Sequence, residues 1–422
     1  MEVRIPYGRG SLRAELPAGT TEILTSGIGC LSAQHPGQAI VRQAMQQPIA
    51  SPTLRELAEG KRTAVILISD HTRPVPSREI LPPMLEELKA GNPEIEVTLL
   101  VATGCHRGTR PEELREKLGD EIYERYPIIV HDCERNNVSI GVLPSGAELV
   151  VDRAALECDL LVAEGFIEPH FFAGFSGGRK SVLPGICDKK TVMGNHCSAF
   201  LASPEARSGV LDGNPIHTDM IAAARMARLA YIINVILDEQ HRTVAAFAGD
   251  AIEAHRAGCE LLVKHCGVRP QRKGDIVVTS NGGAPLDQNL YQAVKGIVTA
   301  EALAAEGGTI VMCAECADGA GSTAFYEALR DSESADALLE KVLAVPQAET
   351  TIDQWQYQML VRVLVRHRVI LVTRPALREM VREMKMDYAP SLDEALRMAM
   401  QGRGPETHIL AVPDGIGVIP LA

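Results

Sequence analysis

Unbroken apolar runs alternate along this chain with stretches in which apolar positions recur every three or four residues. The run at 63–69, Thr-Ala-Val-Ile-Leu-Ile-Ser, is continuously aliphatic or β-branched, as a parallel strand covered on both faces requires. It stops at Asp70-His71-Thr72-Arg73-Pro74. A helix is predicted over 77–89, with Ser77 as N-cap and Leu81, Met84, Leu85 and Leu88 on one face. Pro82 and Pro83 predict that its regular part starts only there. The alternation repeats with a strand at 95–102, a loop Thr103-Gly104-Cys105-His106-Arg107-Gly108 and a helix over 111–118 opened by Thr109 and Pro111. The apolar residues 160–163 then lead into a glycine-rich loop. Further strands are read at 229–237 and 244–248, and a helix at 251–265. The opening residues 5–16 read as a short hairpin or edge element.

The polar stretch from Gly267 to Gly274 carries Pro270 and places a domain boundary, giving an N-terminal domain over 1–268 and a C-terminal domain over 269–422. The second starts afresh with a strand at 275–279, a helix from Asn289 to about Leu303, and strands at 309–313, 369–372 and 409–412. Strands alternating with helices predict the α/β class: two α/β domains, with the active site in the cleft between them. In such sheets ligands collect beyond the carboxyl ends of the strands. Asp70 with Arg73, His106 and His170 each follow a predicted strand, so their loops are expected to open on one edge.

Composition narrows the class. A chain of 422 residues exceeds one ordinary core, and 46% hydrophobic with 23% charged residues is a globular balance. No apolar run is long enough for a membrane span, and Met1-Glu2-Val3-Arg4-Ile5-Pro6 is no signal peptide, so a cytoplasmic protein is expected, without a membrane partner. Acidic residues outnumber basic ones by 54 to 42, which argues against nucleic acid but leaves room for a local basic pocket. Ten scattered cysteines read as free thiols of a reducing compartment. The single Cys-x-x-Cys, Cys313 to Cys316, reads as buried structural thiols rather than a redox or metal pair.

The chemistry is concentrated in the segment from Glu168 to Gly185, followed by His196. Gly174, Gly177 and Gly178 allow close approach of backbone to an anion, and the expected ligand carries a phosphate. Arg179 stands between Gly178 and Lys180, which breaks the Gly-Lys-Ser/Thr order of an ATP-binding loop. Histidine titrates near neutrality, so His106 and His170 on one substrate carbon would serve as acid and base on opposite faces. His196 is a candidate metal ligand or a structural histidine. Lys180 is either a point cation for a phosphate or a nucleophile whose pKa burial beside Arg179 depresses. Asp70 and Arg73 form a surface pair or position an anion and a hydroxyl. Tyr291, Gln292 and Lys295 share one helix face, and Trp355, the only tryptophan, either packs in the core or touches substrate.

Taken together, Asp70-His71-Thr72-Arg73-Pro74, Ala102 to Arg107, Glu168 to Gly185, Gly194-Asn195-His196, Leu286 to Gly296 and Trp355 closely resemble the lactate racemase family that uses a nickel-pincer nucleotide. The resemblance covers both domains and keeps motif order. It implies a pyridinium mononucleotide whose two sulfur-bearing arms grip nickel, joined covalently to Lys180, with His196 as the remaining nickel ligand. His106 and His170 would be the paired acid/bases of a 2-hydroxyacid racemase or epimerase working through a 2-oxo acid. Arg73, Lys295, Tyr291, Gln292 and Trp355 would hold substrate, while Asp70, Thr72, Gly174, Ser176, Gly177, Gly178 and Arg179 would contact cofactor. Partner enzymes that build the cofactor and insert nickel are implied as well. Two rivals predict otherwise: a zinc-dependent hydrolase using His106, His170 and His196, and a nucleotide- or phosphate-binding protein without catalysis.

Overall fold

The computed structural model describes residues 1–31 and 35–421. Two six-stranded sheets carry the fold. In the first, Thr63–Ser69 lies between Glu96–Ala102 and Leu160–Phe166, with Ile128–Val130 at one edge and the antiparallel pair Leu229–Leu237 and Thr243–Gly249 at the other. The chain builds outward from Thr63–Ser69 and then returns to lay Leu160–Phe166 on its other side. That reversal opens a crevice at the strand ends. The second sheet repeats the device: Gly274–Ser280 lies between Ala304–Cys313 and Ile409–Val412, and all its pairings are parallel.

The expected strands at 63–69, 229–237 and 409–412 are found at those bounds. Leu160–Phe166 runs three residues beyond the apolar stretch because Glu164 and Gly165 are buried within it. The Glu164 carboxylate accepts the Ser77 hydroxyl at 2.6 Å. Ser77 is therefore no N-cap, and Pro76 holds that position in helix Ser77–Gly91. This helix also passes through Pro82 and Pro83 rather than beginning after them. Ile80, Leu81, Met84 and Leu88 are all fully buried, and their packing outweighs the two missing backbone donors. Helix Leu290–Leu303 starts where Asn289 accepts the Gln292 N–H, as an N-cap should.

The first 24 residues go with the second sheet, not the first. The hairpin Glu2–Tyr7 and Gly10–Glu15 is too small to bury a core of its own. It lends Val3, Ile5, Ala14 and Leu16 to a cluster with Ile276, Val278, Val311 and Ile370, and Thr21–Ile23 adds an edge strand beside Ile409–Val412. The domains also share a core: one apolar cluster holds Leu201, Ile216 and Met220 together with Leu290, Ile297 and Met359. Across the same seam Gln347 Nε2 donates to the Gly194 carbonyl at 3.0 Å and Gln358 Nε2 to that of Ser198 at 2.9 Å. All ten cysteines are free, with Cys313 and Cys316 buried as expected. Among the described residues no helix is long and apolar enough to cross a membrane.

Ile5 is fully buried although some 270 residues separate it in sequence from its neighbours in that cluster. Ile5→Ala should lower unfolding free energy by about 2–5 kcal/mol in a denaturant titration. A loss near zero would show that the hairpin is not part of the second core.

Candidate active site

The loops after the first-sheet strands meet as expected. His106 Nδ1 lies 2.7 Å from Asp70 Oδ2, joining the loops that follow Thr63–Ser69 and Glu96–Ala102. Asp70 is 1% exposed and both of its oxygens are engaged, since Oδ1 accepts the Thr72 N–H at 3.1 Å and hydroxyl at 2.7 Å. Burial alone would push this carboxyl up, but the His106 hydrogen bond and charge, with Thr72 and Arg73, hold it down at about 2. The Asp70 carboxylate accepts the Nδ1–H of His106 and fixes the orientation of the ring. Asp70 and Thr72, expected as cofactor contacts, are joined to each other and, through Asp70, to His106.

The glycine-rich loop is built around Arg179, which is 0% exposed. Its Nη2 donates to the Ala173 carbonyl at 2.8 Å, Nη1 to those of Phe175 at 2.8 Å and Gly177 at 3.3 Å, and Nε to His217 Nδ1 at 3.0 Å. The guanidinium is walled in by protein, so it cannot be the cofactor contact expected from sequence. The glycines answer to the same packing. A Cβ on Gly174, at φ +78, would strike the Val210 carbonyl oxygen, and one on Gly178, at φ +53, the His255 ring. The Gly178 N–H is taken by Asn234 Oδ1 at 2.7 Å, and the Ser176 hydroxyl accepts the Glu168 N–H at 3.0 Å. At Gly177 the obstructing atoms are the Phe166 carbonyl and the Asn234 amide. These residues shape the loop. Asn234 was missed, and its signal was a lone amide inside the apolar strand Leu229–Leu237.

What the loop presents is Lys180 and His170. Lys180 Nζ lies 3.4 Å from His170 Nε2. Burial first, then Arg179, Arg73 and Lys295, press the Lys180 ammonium well below its ordinary pKa. His170 is likewise pressed far down, by burial and then Lys180, Lys295 and Arg73. Its Nδ1 accepts the Ala173 N–H at 3.2 Å, which places the ring proton on Nε2. His196 is 5% exposed and held neutral, at about 3, by burial and then Lys180. Its Nδ1 donates to the Val192 carbonyl at 3.1 Å, freeing Nε2. Phe172, also missed by sequence, stands among the three: its ring centroid is 4.6 Å from that of His170, 5.2 Å from that of His196 and 5.9 Å from Lys180 Nζ.

The second domain contributes the opposite wall. Helix Leu290–Leu303 carries Tyr291, Gln292 and Lys295. Burial, then Arg73, push Lys295 down to about 8, while Glu168 acts to hold its charge. Glu168 itself is raised by burial and opposed by Lys295, Arg73 and Lys180, so one carboxyl sits among three cations. Trp355 meets His196 edge-on with centroids 5.3 Å apart, and its Nε1 donates to the Tyr291 hydroxyl at 3.0 Å. Among the described residues no three His, Cys, Asp or Glu side chains gather as a metal-binding group, so His106, His170 and His196 do not form the zinc site of the hydrolase alternative.

A two-domain α/β enzyme is defined by these features, with a buried amine, two histidines and a surplus of cations at one crevice. The comparisons agree on which. The lactate racemase N-terminal domain model matches residues 7–209 and the lactate racemase C-terminal domain model residues 269–420. The lactate racemase of Thermoanaerobacterium thermosaccharolyticum is 47% identical over 420 residues, covering 99% of this chain and 98% of that protein. That of Lactiplantibacillus plantarum is 47% identical over 384 residues, 90% of each. The solved lactate racemase apoprotein from T. thermosaccharolyticum superposes with a TM-score of 0.95 over the whole of both chains at 46% identity. A protein from Thermotoga maritima shares the fold alone, at a TM-score of 0.65 and 19% identity over 91% of this chain and 98% of its own. The chain belongs to the lactate racemase family, and is an isomerase.

Folding keeps His217 neutral, at about 3 against 6.5, through burial and then the Arg179 charge. The unfolded chain therefore binds a proton here that the native protein refuses. Stability from this group is complete above 6.5 and is lost as pH falls, by about 1.4 kcal/mol per pH unit. His217→Asn keeps an acceptor for Arg179 but cannot titrate. Its unfolding free energy, measured between about pH 6 and pH 5, should fall less steeply than that of the wild type by roughly this amount. Equal slopes would contradict a neutral His217.

Proposed function

We propose that this chain racemises or epimerises a lactate-like 2-hydroxy acid with a nickel-pincer nucleotide attached through Lys180. The observation that carries the reading is the buried Lys180 amine held 3.4 Å from His170 on a loop that shares Phe172 with His196. An uncharged, buried amine is the form that bonds covalently to a cofactor. The donor set fits as well: His196 is neutral, gives its Nδ1 proton to a carbonyl and offers Nε2, as a metal-ligating histidine does. When bound, the cofactor supplies the acceptor and donor of a hydride at the substrate α-carbon.

The side chains supply the rest. Arg73 and Lys295 bring two cations to the crevice, the counter-charge that a 2-hydroxy acid carboxylate requires. His106, fixed by Asp70, takes the substrate hydroxyl proton on Nε2. On the other side His170 would act as the acid only after its ring has itself gained a proton, so that giving it to the oxygen of the flat 2-oxo acid returns the neutral imidazole. In the opposite direction the two exchange roles. Tyr291, Gln292 and Trp355 close the wall and limit water. Enzymes that assemble the cofactor and insert nickel are the partners this reading requires, and ten free thiols fit a cytoplasmic site of action.

The chain, co-produced with cofactor-making enzymes, should carry a covalent adduct and nickel by intact mass and metal analysis. Lys180→Ala should lose the adduct and the loss of optical activity of a 2-hydroxy acid. An unmodified wild-type chain under those conditions would sink the reading. Separately, Asp70→Asn should lower kcat by about 10²–10⁴-fold, because the ring is no longer held as a base. Full activity would show that the Asp70–His106 contact is structural only.

A further inference from the structure

Asp353 stands at the start of helix Gln354–Arg366 and takes φ +64 and ψ 0, a left-handed conformation that costs a non-glycine residue free energy. An aspartate in that position ordinarily caps the helix, yet this side chain accepts no helix N–H. Its Oδ1 instead accepts the Tyr291 hydroxyl at 2.9 Å and its Oδ2 the Ser322 hydroxyl at 2.5 Å. Ser322 is in turn the cap of helix Thr323–Arg330, through the Phe325 N–H. Burial, then the Asp353 charge, push the Tyr291 phenol above its ordinary range, so it keeps the proton it donates. That leaves the Tyr291 oxygen free to accept the Trp355 indole N–H at 3.0 Å. The Trp355 ring ends the chain of contacts edge-on against His196, across the seam between the domains.

We propose that Asp353 is a positioning residue of the active site, fixing Trp355 against His196 through the Tyr291 hydroxyl. This rests on the racemase reading for its catalytic meaning, but not for its structural one. The local strain and the forgone cap point the same way: the carboxylate is placed where it can hold two hydroxyls from two different helices at once. Were it a mere helix cap, Tyr291 and Trp355 would not depend on it.

Trp355 is the only tryptophan of the chain, so intrinsic fluorescence reads its surroundings directly. Asp353→Gly accepts the left-handed backbone without strain and removes only the clamp. Tyr291→Phe keeps the ring that packs against Phe325, at 5.5 Å between centroids, and removes only the relay. In the full-length chain without cofactor, both variants should red-shift the emission and raise acrylamide quenching, and the double variant should add nothing further. Asp353→Asn, with a single acceptor, should fall between wild type and Asp353→Gly. In cofactor-loaded protein, Asp353→Gly should lower racemase kcat by about 10–100-fold, the usual effect of removing a group that orients a metal ligand or its neighbours. Emission and quenching unchanged in Asp353→Gly would overturn the proposal, and so would an altered Trp355 signal with full activity. A wild-type chain that racemises nothing would count against the function alone, since the fluorescence is read without it.

Discussion

A guanidinium buried without a carboxylate holds the centre of this molecule together. Arg179 reaches the carbonyls of Ala173, Phe175 and Gly177 and the ring of His217. Its pKa is lowered by burial, to about 10, so it stays charged at neutral pH. Solvation of that charge is replaced by backbone dipoles, and the loop can provide them only by curling around the side chain. The positive-φ glycines, the Asn234 amide and the neutral His217 and His255 are the consequences. Lys180 follows Arg179 directly, and its field, after burial, is the foremost charge that discourages the lysine proton. The residue that folds the loop thus also prepares the amine that the loop displays.

Charge around the crevice is arranged by the same trade between burial and attraction. Carboxylates with hydrogen-bonding partners, such as Asp70, are held ionised, while Glu168 is pushed up despite three cations nearby. Lys180, His170 and His196 are pressed toward their neutral forms, by burial first and then by neighbouring cations. Desolvation disfavours the charged form in each case and so favours an available lone pair. The two sheets contribute through topology, since each reverses strand order and opens at its carboxyl edge.

Much of this was legible in the chain because the strands are buried on both faces and read as unbroken apolar runs. Thr63–Ser69 and Ile409–Val412 show it. The loops after them were equally legible, because a polar residue directly beyond such a run has few other places to be. Long-range pairing was not. Nothing local tells residues 1–24 to join a sheet whose first strand begins at Gly274, because the apolar face of a short hairpin fits any sheet of matching size. Side-chain direction was hidden for the same reason. Arg179 and Lys180 are adjacent cations in sequence, but one points into protein and the other into the crevice, a difference set by Asn234, His217 and His255 from distant elements. Ser77 looked like a cap until its hydroxyl met Glu164, 87 residues on.

The two histidines are unequal, and a racemase can tolerate that for a thermodynamic reason. His106 Nδ1 has a carboxylate behind it, whereas His170 Nδ1 has a backbone N–H. Enantiomers have identical free energies in water, so kcat/KM must be the same for both whatever the protein does. The asymmetry can appear only in how each enantiomer divides that ratio between binding and turnover. Unequal surroundings for the two rings therefore cost the reaction nothing at equilibrium.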